Sequence, residues 1–151
     1  MTRPDLTDQT CRVGVDLVAV DDVAASVERF GQRYLSRVYT DHERASCPGE
    51  PVVAAAGLAA RFAAKEAALK VLRPVGPRPQ WRSIEVVRQP NGACDLALHG
   101  EAARLAASAG VRQLAVSLTH EAGMAAAVVV AMCDPASPLV HPTEGSMKQG
   151  E

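Results

Sequence analysis

The chain has 151 residues and a formal net charge of −1, with 48% apolar but only 3% aromatic residues. That length suits one domain, and its core must be built from Ala, Val and Leu. The near-zero charge excludes a general nucleic-acid binder, although a local basic face is compatible with it.

Residues 1–11 are polar and read as a flexible N-terminal segment. RVGVDLVAV reads as a strand with Val13, Val15 and Leu17 on one face and Asp16 on the other, where it is free to be exposed. A single helix is expected from Asp21 to about Arg37, with Asp21 and Asp22 at its N-terminus and Val23, Val27, Phe30 and Leu35 as apolar positions. Thr40 and Asp41 suit the cap of a short helix. Val52 to Leu72 is the longest helical run, stopped by Pro74. After the Pro-rich VGPRPQ, WRSIEVVRQ and ACDLALH read as strands around a PNG turn. Glu101 to Ala109 reads as a helix ending at Gly110, and RQLAVSLTH and MAAAVVVAM as strands joined by EAG. The folded domain is thus read as residues 12–133, and residues 134–151 as a disordered tail. Helices and hairpins are segregated, which predicts an α+β domain with a largely antiparallel sheet and one long helix packed on it.

Cys11, Cys47, Cys94 and Cys133 lie too far apart for a zinc site or a disulfide scaffold and read as free thiols. No signal-like segment opens the chain, and its most apolar run, MAAAVVVAM, is only strand-length. A cytoplasmic protein that does not enter the membrane is the expectation.

Three features look misplaced. At about 100° per residue, Leu58, Phe62, Leu69 and Leu72 form a stripe on the long helix, and Lys65 falls in its middle. Glu66 and Arg61 fall on opposite borders, and Lys70 lies one turn beyond Glu66. One reading is a snorkelling Lys65 with a wet ammonium beside a solvated Glu66–Lys70 pair. The other is one wall of a phosphate and metal cleft. Asp16 interrupts an apolar strand and needs a partner, and His120 ends a strand before a turn. As residue types, Asp16 and Glu66 suit Mg²⁺, while Arg61, Lys65, Lys70 and His120 suit several phosphates.

GVDLVAV, ARFAAKEAALKVL and AVSLTHEAGMAAAVVV, in that order, resemble the holo-acyl-carrier-protein synthases, the small 4′-phosphopantetheinyl transferases. FAAKEA is the most specific piece. The resemblance implies transfer of the 4′-phosphopantetheine arm of coenzyme A to a serine of a fatty-acid or polyketide acyl carrier protein, in a homotrimer with sites between subunits. It assigns Asp16 and Glu66 to Mg²⁺, Lys70 to the phosphate near the leaving group, and Arg61, Lys65 and His120 to the coenzyme A site. Glu66, Asp16 or Glu121 would take the serine proton. Arg29, Arg33 and Arg37, at i, i+4 and i+8 on one helix, would dock the acidic carrier. Two departures stand out: Asp22 replaces a carrier-binding arginine, and RPVGPRPQ replaces a Gly-rich loop. A Mg²⁺-dependent phosphohydrolase and a non-catalytic coenzyme A or carrier-binding module are the rival expectations.

Overall fold

The computed structural model describes residues 9–135. The expected C-terminal tail, beyond its first two residues, and most of the N-terminal segment lie outside them. The elements run β1 (Thr10–Ala19), α1 (Val20–Phe30), α2 (Gln32–Val38), α3 (Asp41–Ala45) and α4 (Pro51–Leu72), then a 3₁₀ turn (Trp81–Ser83). They continue with β2 (Ile84–Arg88), β3 (Cys94–Leu98), α5 (Gly100–Ser108), β4 (Val111–Glu121) and β5 (Met124–Cys133). The domain is α+β, as its segregated helices and hairpins predict.

β1, β5 and β4 form an antiparallel sheet with β5 in the middle, and β2 and β3 form a separate hairpin. The β4–β5 turn places Ala122 at φ 50° and Gly123 at φ 78°. Two consecutive left-handed residues match the twist of the flanking strands.

α4 is the centre of the molecule. Pro51 starts it, and Arg73, in the left-handed conformation, and then Pro74 end it. It is not amphipathic. The three-stranded sheet, the β2–β3 hairpin and α1 pack around it, so Ala and Leu are buried on most of its circumference. Beneath it lie Ala125, Ala127, Val129 and Ala131 of β5, all essentially inaccessible. Small side chains on both surfaces let helix and sheet approach closely. The approach is tightest at Gly14, where an added Cβ would sit 2.1 Å from the Ala67 carbonyl oxygen.

Two expectations fail. The apolar face of β1 does not point into the core: Val13, Val15 and Leu17 are 61%, 57% and 63% exposed. Gly14, Asp16 and Val18 take the inner face, because only a residue without a side chain fits at the Ala67 crossing. The single helix from Asp21 to Arg37 is two helices, broken at Gly31 with φ 55°. The cap expected at Thr40 is present as a full capping box with Glu43.

Candidate active site

Asp16 leaves the inner face of β1 two residues beyond the Gly14–Ala67 crossing. Its Oδ1 accepts from the Lys70 ammonium at 3.3 Å, and Lys70 also donates to the Val15 carbonyl at 2.6 Å. Lys70 therefore bridges to β1 instead of forming the expected pair with Glu66. Glu66 lies one turn earlier on the same helix, partly exposed. Phe62, Glu66 and Lys70 make the open stripe of α4. Phe62 accordingly belongs to the accessible face and packs on Trp81, with ring centroids 5.2 Å apart. Asp16, Glu66 and Lys70 thus share one neighbourhood, half-buried at Asp16 and open at Lys70.

Lys65 does not belong to it. Its side chain is 0% exposed, and its ammonium meets the equally buried Glu43 carboxylate at 3.0 Å. It also donates to the carbonyls of Trp81 and Ile84. Both the wet snorkelling ammonium and the coenzyme A-lining role are corrected by this enclosure. Burial pushes the Lys65 pKa down, and the Glu43 carboxylate opposes that shift. Glu43 in turn accepts from the backbone of Thr40 and Val86, both at 2.8 Å, tying α3, α4 and β2 together.

Arg61 and His120 line a second cleft, of about 300 Å³, together with Cys47, Gly57, Arg88 and Cys94. Arg61 is only 6% exposed. It donates to the Gly57 carbonyl at 3.1 Å, while its Nε has no hydrogen-bond partner among the described residues. A buried guanidinium without a carboxylate is costly unless an anion supplies the missing contacts. Burial raises the Cys47 thiol pKa, with Arg61 acting the other way.

The two groups flank α4. Asp16 pairs across with Ala127, which pairs with Leu118; one step along, Val18, Ala125 and His120 form the next row on the same face. α4 lies over β5, so Asp16 stands on its β1 side and His120 on its β4 side. On the helix itself Arg61 and Lys70 point in opposite directions. Strand alternation puts Glu121 on the outer face, away from Asp16, so a single chain does not bring it to the carboxylates. The expected row of arginines is also interrupted. Arg29 lies in the last turn of α1 and stacks on Phe30 at 5.1 Å, while Arg33 and Arg37 belong to α2.

A family model for the 4′-phosphopantetheinyl transferase superfamily matches residues 12–131. The chain belongs to this superfamily. The transferase is 47% identical over 132 residues to the holo-[acyl-carrier-protein] synthase of Chloroflexus aggregans, spanning 80% of this chain and 94% of that one. The synthase of Koribacter versatilis is 40% identical over 119 residues, spanning 78% and 94%. Among solved structures, an ACPS–CoA complex from Chronobacterium ammoniagenes superposes with a TM-score of 0.72 at 30% identity, covering 83% of this chain and 98% of that one. The Helicobacter pylori synthase in complex with coenzyme A gives 0.69 at 28% identity, covering 80% and 99%. The transferase is therefore an enzyme of the holo-acyl-carrier-protein synthase type, as the FAAKEA resemblance implies.

Sequence reasoning missed Glu43 and Arg88. For Glu43 a signal existed: Thr40 and Glu43 have capping-box spacing, and its carboxylate caps α3 while meeting Lys65. Arg88 of the transferase carries no local signal, since only the β2–β3 hairpin turns it toward the second cleft.

Proposed function

We propose that the chain transfers the 4′-phosphopantetheine arm of coenzyme A to a serine of an apo acyl carrier protein of the fatty-acid or polyketide type, releasing adenosine 3′,5′-bisphosphate. The observation that supports this reading is the contact of Lys70 with Asp16, far apart in sequence, at the β1–α4 crossing of a holo-acyl-carrier-protein synthase fold, with Glu66 one turn earlier on the same open stripe of α4. Among the described residues no group of three or more His, Cys, Asp or Glu could hold a metal alone. Two carboxylates fit Mg²⁺, which takes oxygen ligands and shares them with substrate phosphates. Asp16 and Glu66 would hold it, and when bound it offsets the negative charge of the diphosphate.

The carrier serine Oγ attacks the β-phosphorus of coenzyme A, forming one P–O bond as the diphosphate P–O bond breaks. Its proton passes to Glu66 or Asp16, directly or through water. Lys70 is half exposed and tethered only through its ammonium, so it can turn from Asp16 to the leaving phosphate and stabilise its charge. Arg61, with its unpartnered Nε, and His120 supply an anion site for the phosphates of the nucleotide. Arg29, Arg33 and Arg37 dock the carrier.

The active enzyme is a cytoplasmic homotrimer. Support comes from two features. The outer face of β1 is apolar and open, continuing onto Val128 of β5, which is 39% exposed. The carboxylate group and the Arg61–His120 cleft lie on opposite flanks of α4, so a neighbouring copy is needed to join one subunit's carboxylates to another's cleft.

Intact mass of an apo carrier incubated with enzyme, coenzyme A and Mg²⁺ tests the reading. A gain of one phosphopantetheine is expected. Coenzyme A cleavage with an unmodified carrier would make the chain a hydrolase, and no reaction across a carrier panel would make it a binding module.

A further inference from the structure

Arg37 lines two adjoining grooves. One, of about 280 Å³, is formed by Phe30, Arg33, Tyr34 and Arg37. The other, of about 540 Å³, runs between α2 and the segment that follows α4, with Arg37, Arg78, Trp81 and Arg82 on its walls. Together they gather four guanidinium groups. Among the described residues the only carboxylate paired with any of them is Asp41, 3.9 Å from Arg82 and itself almost fully exposed.

The segment carrying Arg78 is stiff. Pro77 and Pro79 flank it, and Pro79 is buried as an anchor. Trp81, at its end, packs on Phe62, one helical turn before Glu66. Trp81 thus joins the wall of the larger groove to the open stripe of α4 that carries Glu66.

The chemistry of these grooves differs from that of the Arg61 cleft. Arg61 is enclosed and incompletely satisfied, as a small-anion site requires. Arg33, Arg37, Arg78 and Arg82 are exposed and spread along a surface, an arrangement that suits a macromolecule with a carboxylate-rich face. We infer that the Arg78–Arg82 segment extends the docking surface of the carrier, so that the Pro-rich stretch after α4 selects among carriers by charge. This rests on the transferase reading.

The test uses the full chain with Arg78→Glu and Arg82→Glu, singly and together. Carrier KM, coenzyme A KM and kcat are measured at low and high salt. Binding of a carrier whose acceptor serine is replaced by alanine is followed in parallel by fluorescence anisotropy. The double reversal is expected to raise the carrier KM and Kd at least about ten-fold, flatten their salt dependence, and leave the coenzyme A KM and the melting temperature unchanged. An unchanged carrier Kd overturns the inference. So does a rise confined to the coenzyme A KM, which would make the groove a nucleotide site. The anisotropy arm reads docking without turnover: tight, arginine-dependent binding by a wild-type enzyme that transfers nothing would reject the transferase reading and retain the docking surface.

Discussion

Lys65 and Lys70 stand on the same helix, yet their surroundings are opposite. Lys65 is sealed against Glu43, and Lys70 is half exposed, with its ammonium bonded to β1. The motif FAAKEAALK therefore combines an enclosed, structural cation with an exposed one, for which the phosphate role is proposed. Glu43→Gln keeps the shape of the side chain but strips the partner charge from Lys65 and turns one of the two oxygens that accept from Thr40, Val86 and Lys65 into a donor. Removing one member of a buried pair typically costs about 3–5 kcal/mol, and a loss in that range is expected in urea unfolding. Adding Lys65→Met should recover part of it, whereas a single-variant loss below about 1 kcal/mol would show the pair to be energetically idle. Glu66→Gln is expected to behave in the opposite way. Its partly exposed carboxylate is not needed for folding, so the melting temperature should hold while transfer in limiting Mg²⁺ falls at least about 100-fold. Wild-type rates there would remove Glu66 from the metal and base roles.

At the scale of elements, the register of β1 on α4 places Asp16 beside Lys70. Gly14 permits the helix backbone to touch the strand, and that contact turns Asp16 inward toward Lys70. Gly14→Ala forces the two elements apart, because the blocking atom is a helix carbonyl and not a flexible side chain. Overpacking of this kind costs about 1–3 kcal/mol. Activity should fall further than the stability loss explains, since Asp16 moves with the strand. A variant with wild-type rate and wild-type unfolding midpoint would contradict the contact. Gly31 has a comparable influence on the basic face. By breaking what periodicity alone presents as one helix, it separates Arg29 from Arg33 and Arg37 and turns α2 toward the Arg78 groove.

At the scale of the whole molecule, one sheet face is covered by α4 and the other is apolar and open among the described residues. Contiguous exposed apolar surface of this kind marks an interaction site. Replacing Val15 and Leu17 together by Asp puts charge on that face without touching Asp16. The wild-type chain is expected to run at three times the monomer mass in light scattering, and the double variant as an inactive monomer with its far-ultraviolet spectrum retained. A wild-type monomer with full activity would reject the composite site.

Much of this was legible before folding. Alternation, turn residues and the long Ala-rich run specify most of the elements, and the FAAKEA and GVD motifs point to the family and to the residues proposed for the reacting centre, because these signals are local in the chain. What lies between elements was decided by packing. The inward face of β1 follows from the space available at Ala67, not from hydropathy, which pointed the other way. The burial of Lys65 depends on Glu43, which reaches it only when α3 docks on α4. The separation of Asp16 from His120 depends on which strand lies under the helix. Each is a relation between surfaces distant in sequence, and close-packed interiors admit few such arrangements.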